Sequence, residues 1–273
     1  MEPLPKTFVT KQESNYRELW FNYYKYPILN VITSLQEGEQ ETRKIDFVNI
    51  DAAIDFFNKL TKGIEENDGV RVYFASPSRD GNVYKDKCGL LTLIFVKTNG
   101  VNHLDDKTYY AFNGKTFDKI EEDQARLWVH NYQNIKRNIL FETLSDNDRT
   151  NFIHETKHVW FSSEQMIQTR DEMIYQKGKA GSMVTGFGIR FVSYTNLAYS
   201  FPKRVSGAED RRQRLTIGFT FMNKNRDIGI EDIDSEEFNY RYELTKDKFM
   251  GDTFDTGDPT PPPSTDDKAA LDV

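Results

Sequence analysis

One pattern limits what this chain can fold into more than any other: a pair of strand-forming runs that occurs twice. Gly69-Val70-Arg71-Val72-Tyr73-Phe74 and Leu90-Leu91-Thr92-Leu93-Ile94-Phe95-Val96 are rich in β-branched and aromatic residues, and a polar loop joins them. They read as neighbouring strands. A diverged copy follows in Gly188-Ile189-Arg190-Phe191-Val192-Ser193 and Leu215-Thr216-Ile217-Gly218-Phe219-Thr220-Phe221. Other elements recur around each pair in the same order. Arg126-Leu127-Trp128-Val129-His130-Asn131-Tyr132 aligns without a gap against Glu18-Leu19-Trp20-Phe21-Asn22-Tyr23-Tyr24, and His158-Val159-Trp160-Phe161 against Lys44-Ile45-Asp46-Phe47. The added residues of the second copy fall in loops, where insertions are tolerated. The pattern predicts an α+β protein made by internal duplication of an α-β-α-β-β unit, with mixed or antiparallel sheets and helices packed on one face. The first unit spans 11–120, the second 121–245, and 246–273 forms a tail.

Within the first unit, Tyr16, Leu19, Trp20, Tyr23 and Tyr24 recur at helical spacing. They predict a helix whose apolar stripe packs on the sheet, with Trp20 and Trp128 filling the core. Pro27 is expected to kink or end that helix. Asn49 is a plausible N-cap for a second helix with a buried stripe of Ile50, Ile54, Phe57, Leu60 and Ile64. Asn113-Gly114 predicts a hairpin between Thr108–Phe112 and Lys115–Ile120. In the second unit, Ser162 and Gln165 form a capping-box pattern ahead of Met166, Ile167, Met173 and Ile174. Phe238 to Leu244 reads as a last strand. The tail is Asp-, Thr- and Pro-rich, which predicts disorder.

Composition excludes several functions. No apolar run approaches the roughly 20 residues needed to span a bilayer. The formal net charge is −7, which opposes general binding to nucleic acid phosphates. The basic residues from Lys203 to Arg214 are interrupted by Glu209 and Asp210 and read as a solvated loop. The single cysteine, Cys88, cannot form an intramolecular disulfide, and no export segment opens the sequence, so a cytoplasmic setting is expected.

Two patterns could carry chemistry. His154-Glu155-Thr156-Lys157-His158 is a formal H-E-x-x-H. On a helix, its two imidazoles share a face and can bind zinc, while the glutamate acts as general base of a hydrolase. Glu164 or Glu172 would be the third ligand. The competing expectation is that His158 starts a strand, as Lys44 does in the first copy. The second pattern is Arg71 with Arg190, which the repeat places at equivalent mid-strand positions. Their guanidinium groups could hold a phosphate or carboxylate ligand, or pair with carboxylates of the same chain.

At Asp68-Gly69-Val70-Arg71-Val72-Tyr73-Phe74-Ala75 and Leu91-Thr92-Leu93-Ile94-Phe95-Val96, the chain resembles a loose group of uncharacterised cytoplasmic proteins from Bacteroidota. The likeness covers about the first hundred residues. It implies a bacterial origin and brings no activity with it. The leading expectation is a non-enzymatic binding or assembly module with a protein partner or self-association, using Arg71 and Arg190. The alternatives are the zinc hydrolase and a small-anion binder.

Overall fold

The computed structural model describes residues 8–9, 11–78, 88–100, 103–145, 155–194, 214–224, 226–228, 253–254 and 258–259. After β1 (Phe8–Val9), one helical run comprises α1 (Lys11–Trp20), a π-helical turn (Phe21–Lys25) and α2 (Tyr26–Glu37). Then follow β2 (Lys44–Phe47), α3 (Ile50–Thr61), β3 (Gly69–Ala75), β4 (Thr92–Asn99) and β5 (Leu104–Asp105), with the hairpin β6 (Tyr109–Phe112) and β7 (Phe117–Ile120). A second helical run joins α4 (Glu122–Asn131), a π-helical turn (Tyr132–Arg137) and α5 (Asn138–Ser145). It leads to β8 (His158–Ser162), α6 (Ser163–Gly178), β9 (Gly186–Ser193), β10 (Leu215–Asn223) and β11 (Arg226–Ile228). Two short strands, β12 (Thr253–Phe254) and β13 (Asp258–Pro259), close the list of elements. His154, the basic residues 203–212, the expected strand 238–244 and the rest of the tail lie outside the described residues.

The fold is α+β, with two antiparallel sheets. One has the order β1-β12-β10-β9-β2, and the other β13-β8-β3-β4-β6-β7. The helix–strand–helix–strand–strand order occurs in both halves, but the small strands change places. β2, from the first half, pairs with β9 of the second, Lys44 lying opposite Arg190 and Phe47 opposite Phe187. β8, from the second half, pairs with β3 of the first, His158 lying opposite Tyr73 and Phe161 opposite Val70. Each sheet is therefore built from both halves of the chain.

Local chemistry accounts for the element boundaries. The Asn49 side chain accepts from the Asp51 N–H at 2.9 Å and caps α3. Ser162 and Gln165 form the reciprocal capping box of α6, with bonds of 3.2 and 2.8 Å. Gly38 ends α2 in the left-handed conformation, at φ 72°. The helix does not stop at Pro27. That proline falls in the first turn of α2, just after the chain has shifted to a π register in which the Tyr26 N–H bonds the Phe21 carbonyl. A missing donor is tolerated at such a junction.

The main core joins Val70, Val72 and Phe74 of β3, Phe187, Ile189 and Phe191 of β9, Phe57 of α3 and Met173 of α6. On the other side of β3, Tyr73 and Ala75 form a second cluster with Trp128 and Val129 of α4. Helices thus cover both faces of this sheet, where the sequence pattern placed them on one. Every residue of β3 is buried, so the period-2 alternation of a half-solvated strand is absent there.

The first helical run turns a different side inward from the one its apolar spacing predicts. Arg17, Phe21, Lys25 and Leu29 are buried, while Leu19, Tyr23 and Tyr24 are exposed and Trp20 is half-buried. Trp128, in contrast, fills the core as expected. The inward face contains two cations: Arg17 lies over the Tyr194 ring, 4.8 Å from its centroid, and Lys25 pairs with Glu155.

Candidate functional site: buried ion pairs and an uncharged helical face

The zinc-hydrolase expectation fails on local structure. Its two imidazoles need one helix through 154–158, but residues 155–157 are non-helical and His158 begins β8. The His158 ring is buried and packs edge-on against Tyr73, with centroids 5.3 Å apart. Glu164 is exposed in the first turn of α6 and accepts from Gln168 at 3.0 Å, while Glu172 accepts from Gln176 at 2.8 Å. Among the described residues, no group of three or more His, Cys, Asp or Glu side chains could hold a metal ion.

Glu155 cannot act as a general base either, because its carboxylate is fully engaged. It forms an ion pair with Lys25, the two side chains being 0% and 1% exposed. Its Oε1 also accepts the N–H of Thr156 at 2.9 Å and of Leu215 at 2.6 Å. The same arrangement occurs in the other half. Glu41 pairs with Lys136, at 0% and 2% exposure, and its Oε1 accepts the N–H of Thr42 at 2.8 Å and of Leu91 at 2.5 Å. Each lysine reaches across to the glutamate of the opposite half. A buried carboxylate that accepts two backbone N–H groups and faces an ammonium has its charge compensated inside the fold.

Both lysines sit in the π-helical turns, each four residues after a buried aromatic ring, Phe21 or Tyr132, on the inward side of its run. Burial pushes the Lys25 ammonium below its ordinary range, and the Glu155 carboxylate pulls it the other way. Around each pair the packing also repeats. Phe21 meets Phe191 at 6.1 Å and Tyr132 meets Phe74 at 5.5 Å, again first half to second. Burial and the Glu155 charge hold the Tyr132 phenol well above its usual value, so it remains a donor, to the Thr156 carbonyl at 2.8 Å.

These contacts set a register different from the one legible in the sequence. Lys25 corresponds to Lys136 and Phe21 to Tyr132, which moves the helical alignment by three residues from the Trp20–Trp128 match. Strand pairing moves as well. Lys44 lies opposite Arg190 as His158 lies opposite Tyr73, so Arg190 takes the place of Tyr73, and Arg71 that of Gly188. The two arginines are not equivalent. Arg71 pairs with the fully buried Asp105 and donates to the His103 carbonyl at 3.1 Å, while the Tyr73 hydroxyl donates to the same carboxylate at 2.6 Å. Arg190 forms a fork on Asp227 and donates to Asp46 at 2.6 Å.

Burial alone would lower the Arg190 guanidinium, but its bond to Asp227 and the charges of Asp227 and Asp46 hold it raised. Gly188 makes room for it, since a Cβ there would lie 2.5 Å from the guanidinium. Both guanidinium groups are engaged within the chain, Arg190 by two carboxylates and Arg71 by one carboxylate and a backbone carbonyl.

The outward face of the first helical run is different in kind. Tyr23 is 75% exposed, Tyr24 50%, Val31 57% and Leu35 83%, and the Trp20 and Tyr24 rings stack at 4.4 Å. Charged residues make up 29% of the chain, yet between Leu19 and Gln36 only Lys25 is charged, and it points inward. In the second run the places of Tyr23 and Val31 are taken by Asn134 and Glu142, both exposed. Spacing could not assign this face to solvent, because apolar periodicity alone marks it as the core side. The cross-paired glutamates did leave a signal: Glu41-Thr42-Arg43-Lys44-Ile45-Asp46-Phe47 and Glu155-Thr156-Lys157-His158-Val159-Trp160-Phe161 share Glu-Thr-basic and the closing Phe.

Searches against protein-family models, curated proteins and solved structures return no match to this chain. Among the described residues, no helix is long and apolar enough to cross a membrane.

Proposed function

We propose that this chain is a non-enzymatic binding or assembly module built from two duplicated units, acting in a bacterial cytoplasm. The observation that carries the proposal is the uncharged face from Trp20 to Leu35, whose corresponding places in the second run mix the polar Asn134 and Glu142 with the less exposed Ile135. Exposed apolar side chains that are continuous along one element mark interaction sites. Supporting the duplication are the reciprocal Lys–Glu pairs, the exchanged strands and the matched aromatic contacts. The polar groups that looked chemical in the sequence, Glu155, His158, Arg71 and Arg190, serve the core.

The test is capture of binding proteins from a bacterial lysate on the immobilised chain, beside a Tyr24→Glu/Val31→Glu variant whose circular dichroism matches the wild type. Loss of the captured proteins in the variant is expected. An unchanged set of captured proteins would remove this face from the binding role.

A further inference from the structure

We infer that the partner of this helical face is a second copy of the chain, packed antiparallel about a twofold axis near Pro27, an inference that rests on the binding role proposed above. Two features of the face select this occupant. The first is charge. The chain carries a formal −7, so two copies bear like net charge and repel one another. From Trp20 to Leu35 no exposed side chain is charged, and two copies can meet there without setting like charges together.

The second feature is shape. Aromatic residues, Trp20, Tyr23 and Tyr24, occupy one end of the face, and the smaller aliphatic Val31 and Leu35 occupy the other. An antiparallel copy sets large against small at both ends at once, placing Tyr24 opposite Val31 and Trp20 opposite Leu35 of its mate. That is the self-complementarity a twofold contact requires. Pro27, exposed at the midpoint, carries no long side chain to hold the two helices apart. The face runs for roughly 22 Å at 1.5 Å per residue. A single helix pair of this length lies at the small end of specific interfaces, so the dimer dissociates on dilution.

The test is sedimentation-velocity mass of the full chain, from low micromolar to several hundred micromolar. The wild type is expected to move from one chain toward two as concentration rises. Tyr24→Glu and Val31→Lys should each remain single chains, and mixing the two should restore a dimer, because antiparallel packing sets residue 24 against residue 31. Asn134→Glu, at the place of Tyr23 in the second run, should dimerise like the wild type.

A wild type that stays at one chain throughout would overturn the inference. If lysate capture were still lost in the Tyr24→Glu/Val31→Glu variant, the face would belong to a different protein, and the binding role would stand without self-association. Dimerisation unaffected by Tyr24→Glu, or not restored by the mixture, would also overturn the twofold arrangement.

Discussion

The two helical runs, Lys11–Glu37 and Glu122–Ser145, agree on their inner sides and differ on their outer sides. Inside, each carries a lysine on a π-helical turn that reaches a buried glutamate of the other half, with an aromatic ring one turn earlier. Outside, one shows tyrosine, valine and leucine, and the other asparagine and glutamate beside a less exposed isoleucine, Ile135. The inner side is constrained by its partners, since any change strands a buried charge. The outer side has no such constraint from the fold, so its composition reports on what it meets.

The largest effect should come from breaking the matched pairs. Glu41→Ala or Glu155→Ala strands a buried lysine and two backbone N–H groups, which together should cost at least about 5 kcal/mol. Urea denaturation should show the two variants equally damaged. A harmless Glu41→Ala beside an unfolded Glu155→Ala would break the correspondence.

Next come the two arginines, which should not behave alike. Arg71→Ala leaves Asp105 with no solvent access and should cost about 3–5 kcal/mol. Arg190→Ala leaves Asp46 and Asp227 at 23% and 40% exposure, where water can take over, and should cost about 1.5–3 kcal/mol. Equal losses would restore the equivalence that their spacing in the sequence implied.

Two glycines sharpen the same comparison. A Cβ on Gly69 would meet the Phe161 carbonyl at 2.5 Å, and one on Gly186 would meet the Phe47 carbonyl at 2.5 Å, each at a crossing between exchanged strands. Gly69→Ala and Gly186→Ala should each cost about 1–3 kcal/mol. A melting temperature lowered in only one of them would show that the two crossings are held differently.

The smallest effect concerns Glu18, whose carboxyl is held above its ordinary 4.5 by burial and then by the Asp227 charge, with Arg190 and Lys44 opposing. The folded state therefore binds this proton more tightly than the unfolded state. Its contribution to stability is present at low pH and is lost as pH rises through the folded value. Glu18→Gln should stabilise the protein at pH 7 by less than about 1 kcal/mol, a gain that fades as pH falls from the folded value toward 4.5 and is absent below it. No difference in the pH dependence of melting between variant and wild type would count against this.

Much of the fold was legible because its elements announce themselves locally. The Asn49 cap, the Ser162–Gln165 capping box, the Asn113-Gly114 turn and the four long strands are set by short-range chemistry. Three things were hidden, for one reason. The inner face of the first run, the register between the halves and the roles of Glu155 and Arg71 all depend on charged residues being buried, and sequence periodicity assigns charged residues to solvent. Leu-Trp in both runs gave a gapless alignment three residues off, close to one helical turn and so nearly invisible to pattern. In β3 and β9, burial on both sides removed the alternation that would have fixed the register. The H-E-x-x-H pattern arose because His154 and His158 happen to bracket Glu155-Thr156-Lys157, the counterpart of Glu41-Thr42-Arg43, whose glutamate serves the core.

The exchange of β2 and β8 also has a consequence in time. β2 ends at Phe47, but the strand it pairs with begins at Gly186. During synthesis at about 5–20 residues per second, its hydrogen-bonding edge waits on the order of ten seconds for a neighbour to be made. Contacts this distant in sequence also slow folding once the chain is complete. A nascent chain halted before Gly186 should be cut readily by protease within Lys44–Phe47, and one extended past Ser193 should resist.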